Sequence, residues 1–295
     1  MIKIQIPATS ANLGAGFDAL GLALSYYNYV NMEEADGIFI SSLDDTPVPT
    51  DENNLIYHTA KTLFDICGRP LRGLRIEQQN NIPMARGLGS SSACIIAGLM
   101  GANTLMGNPL GLDDLVNLSA QIEGHPDNTA PALLGGIVTA VFDGRTVHWV
   151  KQEVFTTLKF VVAIPDFELK TEKARACLPS EISHKDAVYN LSRAALFSAS
   201  LLTGKFENLR TAVHDRLHQP YRMELIPHGR EVFDIFYSLG AYAAYLSGAG
   251  PALMAIVDGE NEFFCGKLKF ALEKIGLKDW EVHELHIDND GTKLL

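Results

Sequence analysis

Hydrophobic and polar residues alternate with period two over Ile2-Lys3-Ile4-Gln5-Ile6, which predicts a first strand with one face in a core. A weaker alternation at Gly37-Ile38-Phe39-Ile40 and a clearer one at Leu74-Arg75-Ile76-Glu77-Gln78 predict two more. Between them, Leu55, Thr59, Leu63 and Ile66 recur at helical spacing over Asn54 to Cys67, and Gly68-Arg69-Pro70 stops that helix. From Ser92 to about Leu105 the residues are small and apolar with no charge, the pattern of a helix buried on most sides. Asp113 and Asp114 open the next helix, where acids suit the positive dipole end, and it runs toward Glu123. Residues 136–142 and 146–150 read as a hairpin turning at Asp143-Gly144.

A second run of elements begins beyond about residue 155. Phe160 to Ile164 reads as a buried strand ended by Pro165, with helices at Asp186–Leu202 and Glu231–Leu239. A helix at Glu262–Ile275 separates strands at Ala252–Val257 and Trp280–Ile287. Strict strand–helix–strand repetition is missing, so the expected class is α+β with antiparallel sheets, divided into 1–155 and 156–295. Two domains also suit 295 residues at roughly 150 residues each.

Composition narrows the setting. Hydrophobic residues make up 47% and charged residues 20%, which is globular rather than disordered. The net charge of −11, without a Lys/Arg cluster, argues against nucleic acid as main partner. Cys67, Cys94, Cys177 and Cys265 are dispersed with no C-x-x-C spacing, as expected of buried thiols in a reducing compartment. The amino terminus reads as a strand and not a signal peptide. Leu239 to Val257 is uncharged and superficially long enough to cross a bilayer, but Ser247-Gly248-Ala249-Gly250-Pro251 breaks it into two short core elements. A cytoplasmic protein with no membrane partner is the expectation.

The strongest chemical signal is Pro83-Met84-Ala85-Arg86-Gly87-Leu88-Gly89-Ser90-Ser91-Ser92-Ala93, placed between a strand and the buried helix. Glycines allow close backbone approach, and the helix start behind them offers unpaired N–H groups and a positive dipole end, which together suit phosphate. The serine hydroxyls can donate to phosphate oxygens or hold Mg²⁺. It is not a Walker A loop, since no Gly-Lys-Ser/Thr follows, nor a dinucleotide fingerprint, since the third glycine is missing. An ordinary capped helix start would explain a bare Gly-Leu-Gly but not the three serines that follow it. Two further polar segments stand out: Pro7-Ala8-Thr9-Ser10-Ala11-Asn12-Leu13-Gly14-Ala15-Gly16-Phe17-Asp18 after the first strand, and Glu123-Gly124-His125-Pro126-Asp127-Asn128 at a helix end. Alone, the first reads as a glycine-rich connector and the second as a helix stop with a Pro turn.

Residues 7–18, 83–93 and 247–251 together resemble the three motifs of the GHMP kinase superfamily, and within it the wording of 7–18 and 123–128 is similar to homoserine kinases. The resemblance spans essentially the whole chain. It implies a two-domain GHMP kinase fold, with an ATP-binding N-terminal domain like that of ribosomal protein S5 and a ferredoxin-like C-terminal domain, commonly as a homodimer. It implies transfer of the γ-phosphoryl group of ATP to the side-chain hydroxyl of L-homoserine, a step of threonine biosynthesis. By resemblance, Asn12 and Asp18 meet the amino-acid end, Asp18 facing the ammonium. His125 and Asn128 line the same pocket, Asn128 near the reacting hydroxyl, and Arg175 and Arg222 receive the carboxylate; Asn128 and Arg175 are the catalytic candidates. Residues 83–93 hold ATP, with Asn54 beside the adenine. Ser91 and Glu123 hold Mg²⁺, Asp127 being the alternative acid. Lys170 and Gln219 stand where family members often carry Ser and Glu. No clear catalytic base is implied, and a loose phosphoryl-transfer transition state does not require one. Two other readings remain open on the sequence: a mevalonate- or shikimate-type kinase, whose substrate would give Asp18 no ammonium, and a catalytically dead binding protein of the same fold.

Overall fold

The computed structural model describes residues 1–153 and 157–295. Its strands are β1 (Ile2–Ala11), β2 (Leu20–Glu34), β3 (Phe39–Ser42), β4 (Leu74–Gln79), β5 (Ile137–Phe142), β6 (Val147–Gln152), β7 (Lys159–Ile164), β8 (Ala243–Leu246), β9 (Leu253–Val257), β10 (Glu281–Leu285) and β11 (Lys293–Leu294). Its helices are α1 (Leu55–Ile66), α2 (Ser90–Leu105), α3 (Leu112–Glu123), α4 (Pro126–Leu134), α5 (Thr171–Ala176), α6 (His184–Thr203), α7 (Leu209–Ala212), α8 (Gln219–Arg222), α9 (Gly229–Ser238) and α10 (Phe264–Lys274). Among the described residues no helix is long and apolar enough to cross a membrane.

The first sheet runs β11-β1-β2-β4-β3, and β5 and β6 extend it from the near end of β2. Pairing is antiparallel except between β3 and β4. The second sheet is wholly antiparallel in the order β10-β7-β9-β8. Counted along the chain that is four-one-three-two, the ferredoxin-like order, so the expected α+β class and C-terminal fold hold. On β7, Phe160, Val162 and Ile164 join the first lobe's core, while Val161 and Ala163 pack with Phe236 of α9 and Phe264 of α10. A strand covered on both faces reads as a continuous apolar run, which is why 160–164 shows no alternation.

The boundary expected at 155 lies outside the described residues. The chain also returns after β10: Ile287 bridges to Leu24, Asp288 O accepts from Gly136 N (2.6 Å), and β11 pairs with β1. Residues 287–295 therefore complete the first sheet.

Among the elements not expected from the sequence are β2 and α4. The 15-residue β2 starts Leu20-Gly21-Leu22-Ala23-Leu24, apolar on both faces, so period two is invisible where it begins. Helix α4 starts at Pro126, a residue that reads as a turn but suits the first helical position, where an N–H has no partner anyway. Gly21 places α4: a Cβ there would lie 1.8 Å from Asp127 O, so only glycine lets the helix backbone rest on β2.

Candidate active site

The β1–β2 connection carries a left-handed run at Asn12, Leu13 and Gly14 (φ 70, 43 and 79°), with Asp18 also at φ 55°. Leucine resists this conformation, so the neighbourhood must hold it. Asn12 is 3% exposed; its Nδ2 donates to Gly248 O (2.8 Å) and its Oδ1 accepts from Asp18 N (3.0 Å). The 247–251 turn clamps the glycine–serine loop as well. Ser247 Oγ donates to Gly87 O (2.7 Å) and meets Ser10 Oγ at 2.8 Å, Gly248 N donates to Ala11 O, and Ala252 N donates to Arg86 O. The three motifs, far apart in sequence, are thus one hydrogen-bonded unit.

Behind the clamp, Gly89 caps α2 at φ 74° without a side-chain hydrogen bond, and Ala93 N is the first amide to bond back into the helix, to Gly89 O. The preceding amides at the N-terminus point to the cleft mouth, the geometry that binds anions. A Cβ on Gly89 would stand 1.9 Å from Thr9 Oγ1, and one on Gly87 would stand 2.3 Å from Ser247 O. Thr9 Oγ1 in turn donates to Asn128 Oδ1 (2.8 Å), fixing the Asn128 amide beside the loop.

These elements enclose a narrow cleft of about 100 Å³ that opens to solvent. From 83–93 it is walled by Ala85, Arg86, Gly87, Gly89 and Ser90 to Ser92, whereas Leu88 and Ala93 point into the core and Pro83 and Met84 stand aside. Asn12, Asp18, Glu123, His125, Asn128, Arg175 and Arg222 all face it. Asn54 does not: it is 2% exposed, its Oδ1 caps α1 at Ile56 N and Tyr57 N, and its Nδ2 donates to Pro49 O. Its neighbour Leu55 lines an adjoining recess with Ile95 and Ile122. Thr171 and Asp127 also line the cleft, and nothing in the spacing marks Thr171.

The charges are arranged unevenly. Arg175, on α5, makes a fork with Asp18 (Nη2–Oδ1 2.8 Å, Nη1–Oδ2 3.1 Å). Burial alone would lower its pKa, but Asp18, Asp127 and Glu123 raise it above the ordinary arginine value. Arg222, on α8, is 1% exposed and donates to Ala174 O and Gly248 O (both 3.1 Å). Among the described residues no carboxylate pairs with it, and burial, aided by Arg175, holds its pKa below the ordinary value. Phe17 lies under both guanidinium groups, at 5.7 Å from Arg175 and 5.1 Å from Arg222. Two of the expected substrate contacts, Asp18 and Arg175, therefore bind each other here.

Glu123 Oε1 accepts from Ser92 Oγ (3.2 Å) and Oε2 from Ser91 Oγ (3.5 Å); burial raises its pKa above the usual glutamate value. His125 Nδ1 meets Asp127 Oδ1 at 2.5 Å. Burial disfavours its charge, yet the hydrogen bond and charge of Asp127 prevail and raise its pKa. Asp18, His125 and Asp127 are clustered closely enough to ligate one ion, but these ion pairs already engage them. The all-oxygen set of Glu123, Ser91 and Ser92 beside the helix start is the better match for a hard cation such as Mg²⁺.

An anion cradle and a charged polar cleft at the junction of two α+β lobes define a GHMP-type kinase. The pattern for the GHMP kinases N terminal domain matches residues 54–136 and that for the GHMP kinases C terminal matches 197–272. The chain is 48% identical over 295 residues to a homoserine kinase of Caldicellulosiruptor bescii, covering 99% of this chain and 96% of that one. To the homoserine kinase of Clostridium beijerinckii it is 47% identical over 297 residues, covering 100% and 99%. The crystal structure of a homoserine kinase from Cytophaga hutchinsonii superposes with a TM-score of 0.87 at 28% identity, covering 100% and 97%. A mevalonate kinase from Methanococcus jannaschii shares the fold alone, at 17% identity, a TM-score of 0.71 and coverage of 97% and 98%. The chain belongs to the homoserine kinase family of GHMP kinases.

Proposed function

We infer that this enzyme phosphorylates the side-chain hydroxyl of L-homoserine with ATP, giving O-phospho-L-homoserine for threonine synthesis. The observation that carries the substrate's identity is Arg222, a guanidinium removed from water, without an acid partner, facing the phosphate cradle's own cleft. A buried charge of this kind calls for a counter-ion, and a substrate carboxylate supplies one. Asp18 takes the substrate ammonium, and Arg175, released from Asp18, joins Arg222 on the carboxylate. Mevalonate or shikimate would leave Asp18 without an ammonium.

Asn128, held by Thr9, borders the acceptor hydroxyl, with His125 on the same wall. Beside Asp127, His125 keeps its proton to higher pH than a free imidazole does, against the effect of burial. The loop amides at 87–92 and the α2 dipole stabilise charge on the transferring phosphoryl group, which is what a loose transition state requires. Glu123 and Ser91 would hold Mg²⁺, which would supply further neutralisation of phosphate charge. The recess of Leu55, Ile95 and Ile122 gives the adenine an apolar wall. A homodimer in the cytoplasm completes the proposal.

The decisive assay is ADP release with L-homoserine, mevalonate, shikimate and galactose, each product identified by mass. Turnover is expected with L-homoserine alone among the four. Preferred turnover of either amine-free acid would reject the assignments of Asp18 and Arg222 together.

A further inference from the structure

His218, immediately before α8, is fully buried and outside every role given above. Its Nε2 lies 2.7 Å from Gly14 O. A carbonyl can only accept, so Nε2 carries the proton and Nδ1 presents a lone pair. That lone pair faces Arg222 Nη1 at 3.3 Å. The ring also stacks on Phe17 with centroids 5.1 Å apart. Its backbone is held from the other side, because Asp215 Oδ2 accepts from His218 N (2.8 Å) and Gln219 N (2.6 Å). Gly14 sits directly on this segment, where a Cβ would meet Val213 O at 2.5 Å.

We propose that His218 is a positioning residue, fixed as the Nε2–H tautomer between the Gly14 carbonyl and Arg222, which aims the Arg222 guanidinium at the substrate carboxylate. The inference rests on the reading of Arg222 as carboxylate receptor. It adds a link between the strained 12–18 loop, which holds the ammonium-binding Asp18, and the cation that receives the other end of the zwitterion. Burial and the facing Arg222 keep the ring neutral, against the opposing pull of Asp215. A protonated ring would set two cations against each other and take away the acceptor.

Two substitutions separate the ring's two contacts. His218→Gln places an N–H near the Nε2 position but leaves no acceptor at Nδ1, and His218→Asn does the converse. The readout is kcat/KM for L-homoserine divided by that for L-homoserinol, which has a hydroxymethyl group in place of the carboxylate. His218→Gln should lower this ratio by about tenfold, the scale of one charge-assisted hydrogen bond. The loss should fall on the KM for homoserine with the KM for ATP unchanged, and His218→Asn should stay near wild type. Equal losses on both substrates in both variants would make His218 a packing residue and overturn the proposal. Arg222→Ala is the control: an unchanged ratio there rejects the reading of Arg222, while a collapse there without one in His218→Gln rejects only the role of His218. If the variants do not fold, the ¹⁵N imidazole spectrum of the wild-type enzyme at neutral pH decides. Nε2 protonated with Nδ1 bare supports the proposal, and any other protonation state overturns it.

Discussion

Glu123 shows how the site ties charge to ligand at the level of one residue. Its folded pKa is raised by burial, so the folded protein binds more protons there than the unfolded chain does. Without a cation, stability therefore falls as pH rises from the ordinary value of 4.5 through the raised one. A divalent cation reverses that sign by stabilising the carboxylate. Glu123→Gln is expected to raise the metal-free Tm at neutral pH, to lower kcat on the order of a hundredfold, and to move the magnesium titration to higher concentration. A wild-type magnesium titration in that variant would transfer the role to Asp127. Residue types and segments were legible in the sequence here, because Gly-Leu-Gly-Ser-Ser-Ser and Glu-Gly-His-Pro-Asp-Asn carry chemistry in their order. Pairings were not. Nothing in the spacing says that Asp18 and Arg175, 157 positions apart, form a fork. Nor does it say that the Asn54 amide is taken up by the α1 cap on one side and by Pro49 O on the other. Gln219, the departure from the family's usual Glu, is a case where structure supplies the reason: its Nε2 donates to Val213 O and its Oε1 accepts from Leu246 N, a combination an ionised glutamate cannot make.

Among elements, the glycine–serine loop and α2 form the least replaceable unit. Gly89→Ala would add left-handed strain of about 1–2 kcal/mol, and its Cβ would also strike Thr9 Oγ1 and loosen the hold on Asn128. Gly107, at φ 83° with open space for 4 Å around the point where a Cβ would stand, isolates the strain alone. Gly107→Ala is expected to lose the strain alone in thermal melts and Gly89→Ala more than that, while only Gly89→Ala raises the KM for ATP. Similar ATP kinetics for the two would mean that the close approach to Thr9 does not matter to the cradle. The periodic elements α1 and β4 were legible from their hydrophobic spacing, and α2 and β7 from unbroken apolar runs of helix and strand length. The short helices α5 and α8, which present Arg175 and Arg222, were not, since a four- or six-residue helix carries no period of its own and owes its shape to tertiary anchors such as Asp215.

At the scale of the molecule, the first lobe's core takes in Phe160 and Val162 of β7 and Met254 and Ile256 of β9, so the lobes share one apolar interior. A single calorimetric transition with matching van't Hoff and calorimetric enthalpies is expected, and two resolved transitions would show that the lobes unfold independently. The α+β class was legible from the mixture of periods along the chain, whereas the carboxyl-terminal return was hidden because it depends on two-residue pairing with β1. That return means the backbone passes between the lobes twice, from β6 into β7 and again beyond β10. The described residues that flank the two passages meet: Phe160 pairs with Leu285, and Lys151 Nζ reaches Asn289 O (2.6 Å). Paired tethers behave like the two pins of a door: twisting one lobe over the other would strain both.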